Sequence, residues 1–275
     1  MGNRNFIGFP ASLLTASPLR TEVIGESDDW IALNKPTGIA IRQHPWNPGT
    51  THLDAALNEQ LKARKPELLE SGATLFGSVY NIEPEISGIA LFAKNKGSID
   101  RLRNLVGSER CSFTFLFVTK SNLAKDVDGL IADAPLLAHN TKPKMIPSTA
   151  KGKKAQTHFQ RIDKSSLGWS LWRASTSFLR IHQIRAHAAV EKIPILGDVL
   201  YSGPEIPLLS DFVTKKKSAE LRRPIFDGIP LHLSQVLLAA TAGNSEVIHL
   251  NAKFPKKFRL LLERLKLIYS DESKT

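Results

Sequence analysis

The run Ser112 to Val118, Ser-Phe-Thr-Phe-Leu-Phe-Val, is strongly β-prone. It is the clearest of a series of strand-like runs along the chain, and that series constrains the fold most. Trp30 to Asn34 reads as a strand stopped by Lys35-Pro36-Thr37-Gly38, a turn signal. Leu75 to Ile82 and Gly88 to Ala93 are strand-like runs on either side of Glu83-Pro84-Glu85-Ile86-Ser87. Further strands are predicted at about 156–162, 169–176, 231–239 and 246–251. Helices are fewer and scattered. Leu53, Ala56, Leu57 and Leu61 recur at helical spacing over 51–63. Asn95 is a candidate cap for a helix carrying Ile99, Leu102 and Leu105. A helix is predicted over about 181–191, and Phe258, Leu261, Leu262 and Leu265 mark a last amphipathic one. Many strands with few helices imply an α+β fold with a mixed, mainly antiparallel sheet and peripheral helices, not a doubly wound one. No internal repeat is present.

The two remaining stretches differ in character. Residues 120–155 hold Pro135, Pro143 and Pro147 beside Lys142, Lys144, Lys151, Lys153 and Lys154, and read as exposed and loop-rich, either a linker or an insertion in one sheet. Residues 203–224 are again rich in Pro and Lys, with Lys215-Lys216-Lys217 and Arg222-Arg223. These stretches carry much of the net charge of +11. Residues 1–119 hold 12 Lys/Arg and 12 Asp/Glu, whereas residues 120–275 hold 25 and 14. Such asymmetry points to a polyanion, most often nucleic acid, against the plainer reading of a merely basic protein. At 42% apolar residues, disorder is not the default. No apolar run reaches the roughly 18–20 residues that span a bilayer, and the N-terminus lacks a signal-peptide or myristoylation pattern. With Cys111 as the one cysteine, neither an intrachain disulfide nor a Cys-rich zinc site is possible. The expectation is a cytoplasmic protein, monomeric and without a membrane partner.

Two places can carry chemistry. In the helix at 181–191, Ile181, Ile184, Ala188 and Ala189 form an apolar face, and Arg185 lies on or beside it. An inward guanidinium cannot shed its charge and needs a carboxylate or phosphate partner. The plainer alternative is an arginine that snorkels to the surface or holds a structural salt bridge. The second place is Glu83-Pro84-Glu85 in the turn between apolar strands, where a fixed backbone can present a reactive carboxylate. The alternative is a pair of solvated turn residues.

Tyr80-Asn81-Ile82-Glu83-Pro84-Glu85-Ile86-Ser87-Gly88 resembles, without a gap, the stretch His-Arg-Leu-Asp-Arg-Glu/Asp-Thr-Ser-Gly of the RluA-type pseudouridine synthases. Arg180-Ile181-His182-Gln183-Ile184-Arg185 is similar to that family's Arg-Thr-His-Gln-Ile-Arg. Asn34 to Gly38, Gly152-Lys153-Lys154-Ala155-Gln156-Thr157, Lys192-Ile193-Pro194-Ile195-Leu196-Gly197-Asp198-Val199-Leu200-Tyr201, Leu231-His232 and Phe254-Pro255 fit the family's order as well. The likeness runs from about residue 22 to 268, which the resemblance makes one synthase domain. Residues 1–21 are then an N-terminal extension, too short for the small RNA-binding domain of some relatives, and 269–275 a polar tail.

The resemblance implies a pseudouridine synthase fold around a basic cleft that takes in a uridine flipped out of structured RNA, ribosomal or transfer. It implies no metal and no other cofactor, a nucleotide one included. Its catalytic aspartate falls on Glu83, paired with Arg185, and its base-stacking tyrosine on Phe113. Asn81, Arg180, His182, Gln183 and Lys35 are the expected RNA-contacting positions. The departures concentrate at the site. Glu83 adds a methylene, Asn81 replaces an arginine, and Phe113 has a π-face but no hydroxyl to move a proton. Two readings follow: a working isomerase that uses Glu83, or an RNA-binding relative that has lost activity. Other chemistries find no support. His182 and His187 lack helical zinc-pair spacing, Gly152-Lys153-Lys154 lacks the Walker pattern, and Ser87 and Ser234 lack triad partners.

Overall fold

The structure is a computed structural model that describes residues 5–120, 128–212, 219–239 and 247–269. In chain order they form strands β1 (Phe6–Phe9), β2 (Leu19–Glu26) and β3 (Trp30–Lys35), helices α1 (Leu53–Lys62) and α2 (Pro66–Leu69), strands β4 (Gly77–Ser78) and β5 (Ser87–Ala93), helix α3 (Lys96–Gly107) and strand β6 (Cys111–Thr119). Strands β7 (Gly129–Asp133), β8 (Leu136–Ala138), β9 (Met145–Pro147), β10 (Gln156–Lys164) and β11 (Ser170–Thr176) follow. Helix α4 (Gln183–Val190), strands β12 (Leu231–Leu238) and β13 (Ile248–Asn251) and helix α5 (Lys256–Leu265) complete the chain. The fold is α+β with a mostly antiparallel sheet and few helices, as the alternation of runs predicts. The chain divides into two compact units, each assembled from three separate stretches. One comprises residues 1–114, 176–181 and 233–253, the other residues 115–175, 182–232 and 254–275.

In the first unit, β1, β2, β3 and β5 pair antiparallel in that order. Within the first 21 residues β1 joins this sheet, pairing Phe6 with Glu22 and Phe9 with Leu19. Its alternation drives this, because Ile7 and Phe9 turn inward and are buried while Phe6 stays exposed. Every residue of β5 is buried, in keeping with the apolar run Ile89 to Ala93. Gly88 opens β5 at φ +120, and a Cβ there would collide with the backbone of Leu233. Helix α3 takes the predicted cap, with Asn95 Oδ1 accepting from Ser98 N at 2.8 Å.

The predicted strand over 75–82 shrinks to the two residues of β4. Val79 N still donates to Leu91 O of β5 at 2.9 Å, but the donors on the other edge go to helix α1. Phe76 N donates to Asn58 Oδ1 at 2.9 Å and Ser78 N to Asp54 Oδ1 at 2.7 Å. Side chains that offer local acceptors compete in this way with ladder formation.

In the second unit, β10 pairs antiparallel with both β7 and β11, and β8 with β9. The stretch read as loop-rich thus contains three short strands, although Lys142, Lys151, Lys153 and Lys154 are exposed as expected. The apolar face of α5 supplies Phe258, Leu261, Leu262 and Leu265 to a core shared with Leu116, Val118, Trp169 and Leu171. Lys215 to Lys217 lie outside the described residues. No helix among the described residues is long and apolar enough to cross a membrane.

Candidate active site

Each unit gathers motifs that are far apart in sequence. In the first unit, the turn after β3 meets the turn before β5. Lys35 is fully buried, and its ammonium donates to the carbonyls of Pro36 at 3.2 Å, Glu83 at 3.4 Å and Pro84 at 3.2 Å. Gly38 N donates to the same Pro84 carbonyl at 2.7 Å, and Ile86 N closes the turn on Glu83 O at 3.1 Å. Burial pushes the Lys35 ammonium down to about 7, against the opposing pull of the Glu83 charge and, more weakly, of Glu85. The resemblance places Lys35 among RNA-contacting residues. The structure instead spends it on fixing the Glu83 turn, because an ammonium with no solvent must find its acceptors inside the protein.

Glu83 and Glu85 separate sharply. Glu85 is exposed, as a solvated turn residue should be, but Glu83 is only 7% exposed. Pro84 between them fixes the backbone so that the two carboxylates do not share one environment. Asn81 is half-buried, and its Oδ1 is buried without a hydrogen-bond partner. Phe113, on β6, is fully buried and meets Tyr80 edge to face, with ring centroids 4.9 Å apart at 77°. The Tyr80 hydroxyl is committed to Ile89 O at 3.0 Å, and burial raises it well above the ordinary tyrosine range. A stacking platform must show a face, and Phe113 shows none to solvent. Arg180 is half-buried and lies over the Phe178 ring at 5.9 Å.

In the second unit, α4 organises the rest. Arg185 is buried and forms a bidentate pair with Asp198, Nε to Oδ2 at 2.7 Å and Nη2 to Oδ1 at 2.8 Å. The arginine does not snorkel. Asp198 supplies the carboxylate that an inward guanidinium requires, and it comes from the Gly197-Asp198 motif that sequence reasoning noted without assigning it this partner. Arg185 also lies over the Tyr201 ring at 5.3 Å.

His182 precedes α4 with φ +54, and this left-handed residue is why the helix begins at Gln183 and not at 181. Such strain in a non-glycine residue persists only where the surroundings enforce it. Here the His182 Nδ1 meets Tyr201 Oη at 3.0 Å, and Tyr201 Oη also accepts from Met145 N at 2.8 Å. Gln183 Nε2 donates to Gln156 O at 3.0 Å and to Thr157 Oγ1 at 3.2 Å. His187, set aside above as a zinc ligand, is fully buried between Thr157 Oγ1 at 2.8 Å and Ala134 O at 2.9 Å. Burial holds its imidazole below the ordinary histidine value. The Gly-Lys-Lys-Ala-Gln-Thr, His-Gln-Ile-Arg and Gly-Asp motifs therefore converge on one helix, which their separation in sequence hides. Among the described residues, no group of three or more His, Cys, Asp or Glu side chains is placed to hold a metal ion.

A family model described as RNA pseudouridylate synthase matches residues 29–190, which include Lys35, Glu83 and Arg185. The ribosomal large subunit pseudouridine synthase D of Haemophilus ducreyi is 28% identical over 250 residues, covering 90% of this chain and 71% of that one. The uncharacterized RNA pseudouridine synthase YlyB of Bacillus subtilis is 27% identical over 252 residues, covering 91% and 75%. Among solved structures, human RNA pseudouridylate synthase domain containing 4 superposes with a TM-score of 0.68 at 19% identity, over 90% of this chain and 94% of that one. Human RNA pseudouridylate synthase domain containing 1 gives 0.60 at 18% identity, over 90% and 86%. At these identities the structural likeness speaks for the fold.

Proposed function

Because this chain belongs to the RNA pseudouridylate synthase family, we propose that it binds structured RNA, ribosomal or transfer, and isomerises a uridine to pseudouridine with Glu83 as the reacting carboxylate. The observation that carries the proposal is the environment of Glu83. A glutamate with no task in a turn is normally solvated. This one is buried, in a turn whose carbonyls are gripped by a buried lysine.

In this reading the target uridine is flipped out of the RNA, and the unstacking cost is offset by contacts inside the site. The carboxylate acts at the ribose while the C1′–N1 bond breaks. The uracil turns, a C1′–C5 bond forms, C5 loses its proton and N1 gains one. Atoms and charge balance, and no redox step enters. Arg185 is the guanidinium that the family pattern sets against the carboxylate, held in orientation by Asp198. His182 and Gln183 present the start of the same helix. A misplacement of about 1 Å can cost ~100-fold in rate, so the added methylene of Glu83 has to be absorbed by the turn. Lys35, which fixes that turn, is the positioning residue for it.

A second reading, an RNA-binding relative without activity, is favoured by one observation. Phe113 stands where the family's tyrosine stands, without a hydroxyl and fully buried against Tyr80. The two readings part in a single experiment. The chain and its Glu83→Asp variant are incubated with a ribosomal large-subunit RNA transcript, and pseudouridine is measured by nucleoside analysis. Product from the unsubstituted chain supports the first reading. Product from the aspartate variant alone supports a competent site silenced by one methylene. No product from either, with RNA binding intact, refutes the enzyme.

A further inference from the structure

Ser78, on β4 and five residues before Glu83, is the meeting point of two arginines that neither the family motifs nor the proposed chemistry uses. Arg42 donates Nε to Ser78 Oγ at 3.1 Å and Nη2 to Ser78 O at 3.2 Å. Arg103, from α3, donates Nε and Nη2 to that same carbonyl at 3.0 and 2.8 Å. Three N–H groups thus converge on one carbonyl that has two lone pairs. The nearby carboxylate, Asp54, has its two oxygens engaged by Ser78 itself, through N at 2.7 Å and Oγ at 2.8 Å. Among the described residues no carboxylate lies within salt-bridge distance of either guanidinium. The adjacent Arg101, by contrast, pairs with Asp29 at 2.6 Å.

A neutral carbonyl is a poor reason to gather two cations. Arg42 is half-buried, and its guanidinium is held below its ordinary range by burial first and by the Arg103 charge as well, with Asp54 opposing. Each guanidinium keeps its Nη1 amine outside these bonds. Two forks pinned side by side, each with an uncommitted amine, are pre-organised for an anion with several acceptor oxygens in one tetrahedral group. The charge totals conceal this, because the first 119 residues sum to zero and only the fold shows which cations have no acid within salt-bridge distance.

We propose that Arg42 and Arg103 together bind one backbone phosphate of the RNA substrate. The site is distinct from the Glu83 carboxylate and lies within the same unit. The inference rests on the reading of the chain as an RNA-binding synthase. It assigns a positioning contact with the RNA to the two arginines that hold Ser78, five residues before Glu83.

The test measures binding of a fluorescein-labelled RNA stem-loop with an unpaired loop uridine, across a series of salt concentrations. The full chain is compared with Arg42→Gln/Arg103→Gln, Arg42→Lys/Arg103→Lys and Arg103→Gln alone. A lost phosphate contact lowers the slope of log affinity against log salt by about 1. The glutamine pair is expected to show that drop, and the lysine pair, which keeps both charges, to retain most of the slope. Arg103→Gln replaces an exposed helix residue and leaves Arg42 on the Ser78 carbonyl, so its slope, which should also fall, is readable even where the double variant does not fold. A clamp that serves only to hold Ser78 would cost thermal stability in both double variants and leave the slopes unchanged. Unchanged slopes with RNA binding intact overturn this inference alone. Salt-independent or absent RNA binding by the unsubstituted chain overturns the RNA reading and this site with it.

Discussion

Replacing Lys35 with methionine should change how stability depends on pH, and the size of the change follows from the structure. The ammonium is fully buried and its titration is pushed down to about 7 from 10.5. Between those two values the unfolded chain holds a proton that the folded chain has released. Unfolding therefore takes up a proton, and folding stability rises with pH across the window, by at most about 1.4 kcal/mol per pH unit. From pH 7 to pH 9 this group contributes a gain of about 2 kcal/mol, the slope being partial near the folded value. Lys35→Met fills much of the same space and cannot titrate. It also removes the donor to the Pro36 carbonyl, while Glu83 O keeps Ile86 N and Pro84 O keeps Gly38 N. That single orphaned acceptor costs about 1–3 kcal/mol at every pH. Urea unfolding followed by circular dichroism at pH 7, 8 and 9 gives both quantities. The gap between the two proteins should widen toward the variant's disadvantage as pH rises, by about 2 kcal/mol over the range. Parallel pH profiles would refute the argument, since they would mean that Lys35 titrates alike in both states and is not enclosed as described.

Asp198→Ala leaves the Arg185 guanidinium buried without its bidentate partner and should destabilise the protein by about 3–5 kcal/mol, measured by chemical denaturation. Gly88→Ala puts a side chain at φ +120 against the Leu233 backbone; a loss of about 2 kcal/mol or more, or failure to fold, is expected in a thermal melt. His187 is held below the ordinary histidine value, so on acidification the unfolded chain takes the proton first. Stability should accordingly fall as pH drops below about 6.5, and a His187→Asn variant should show a shallower decline between pH 7 and 5.5.

The fold class was readable because its evidence is periodic and local. The Asn95 cap, the apolar face of α5 and the β-prone run of β6 each express a preference that the tertiary structure reinforces. What was not readable depends on distant partners. Nothing near Phe76 or Ser78 signals that helix α1 would take their backbone donors and reduce a predicted strand to two residues. The Phe6–Phe9 alternation is a usable signal for β1, but four residues are a short one. At the site, the motifs marked the residues but not their roles. Lys35 sits in a turn motif that suggests exposure, yet three carbonyls enclose it. Arg185 demanded a carboxylate, and pattern alone could not choose between candidates far away in the chain. The burial of Glu83 against the exposure of Glu85, two residues apart around a proline, is a difference that only the folded backbone decides.

The central claim is that Glu83 is the reacting carboxylate of a working synthase. It is tested most directly by tritium release from RNA carrying 5-tritiated uridine, since the C5 hydrogen leaves only when the base has been rejoined through carbon. The unsubstituted chain should release tritium from a large-subunit ribosomal RNA transcript, and Glu83→Gln, which keeps the shape and removes the charge, should abolish release while still binding the RNA. Release by the glutamine variant at the unsubstituted rate would contradict the assignment of Glu83. No release by the unsubstituted chain on RNA that it binds would contradict the activity itself.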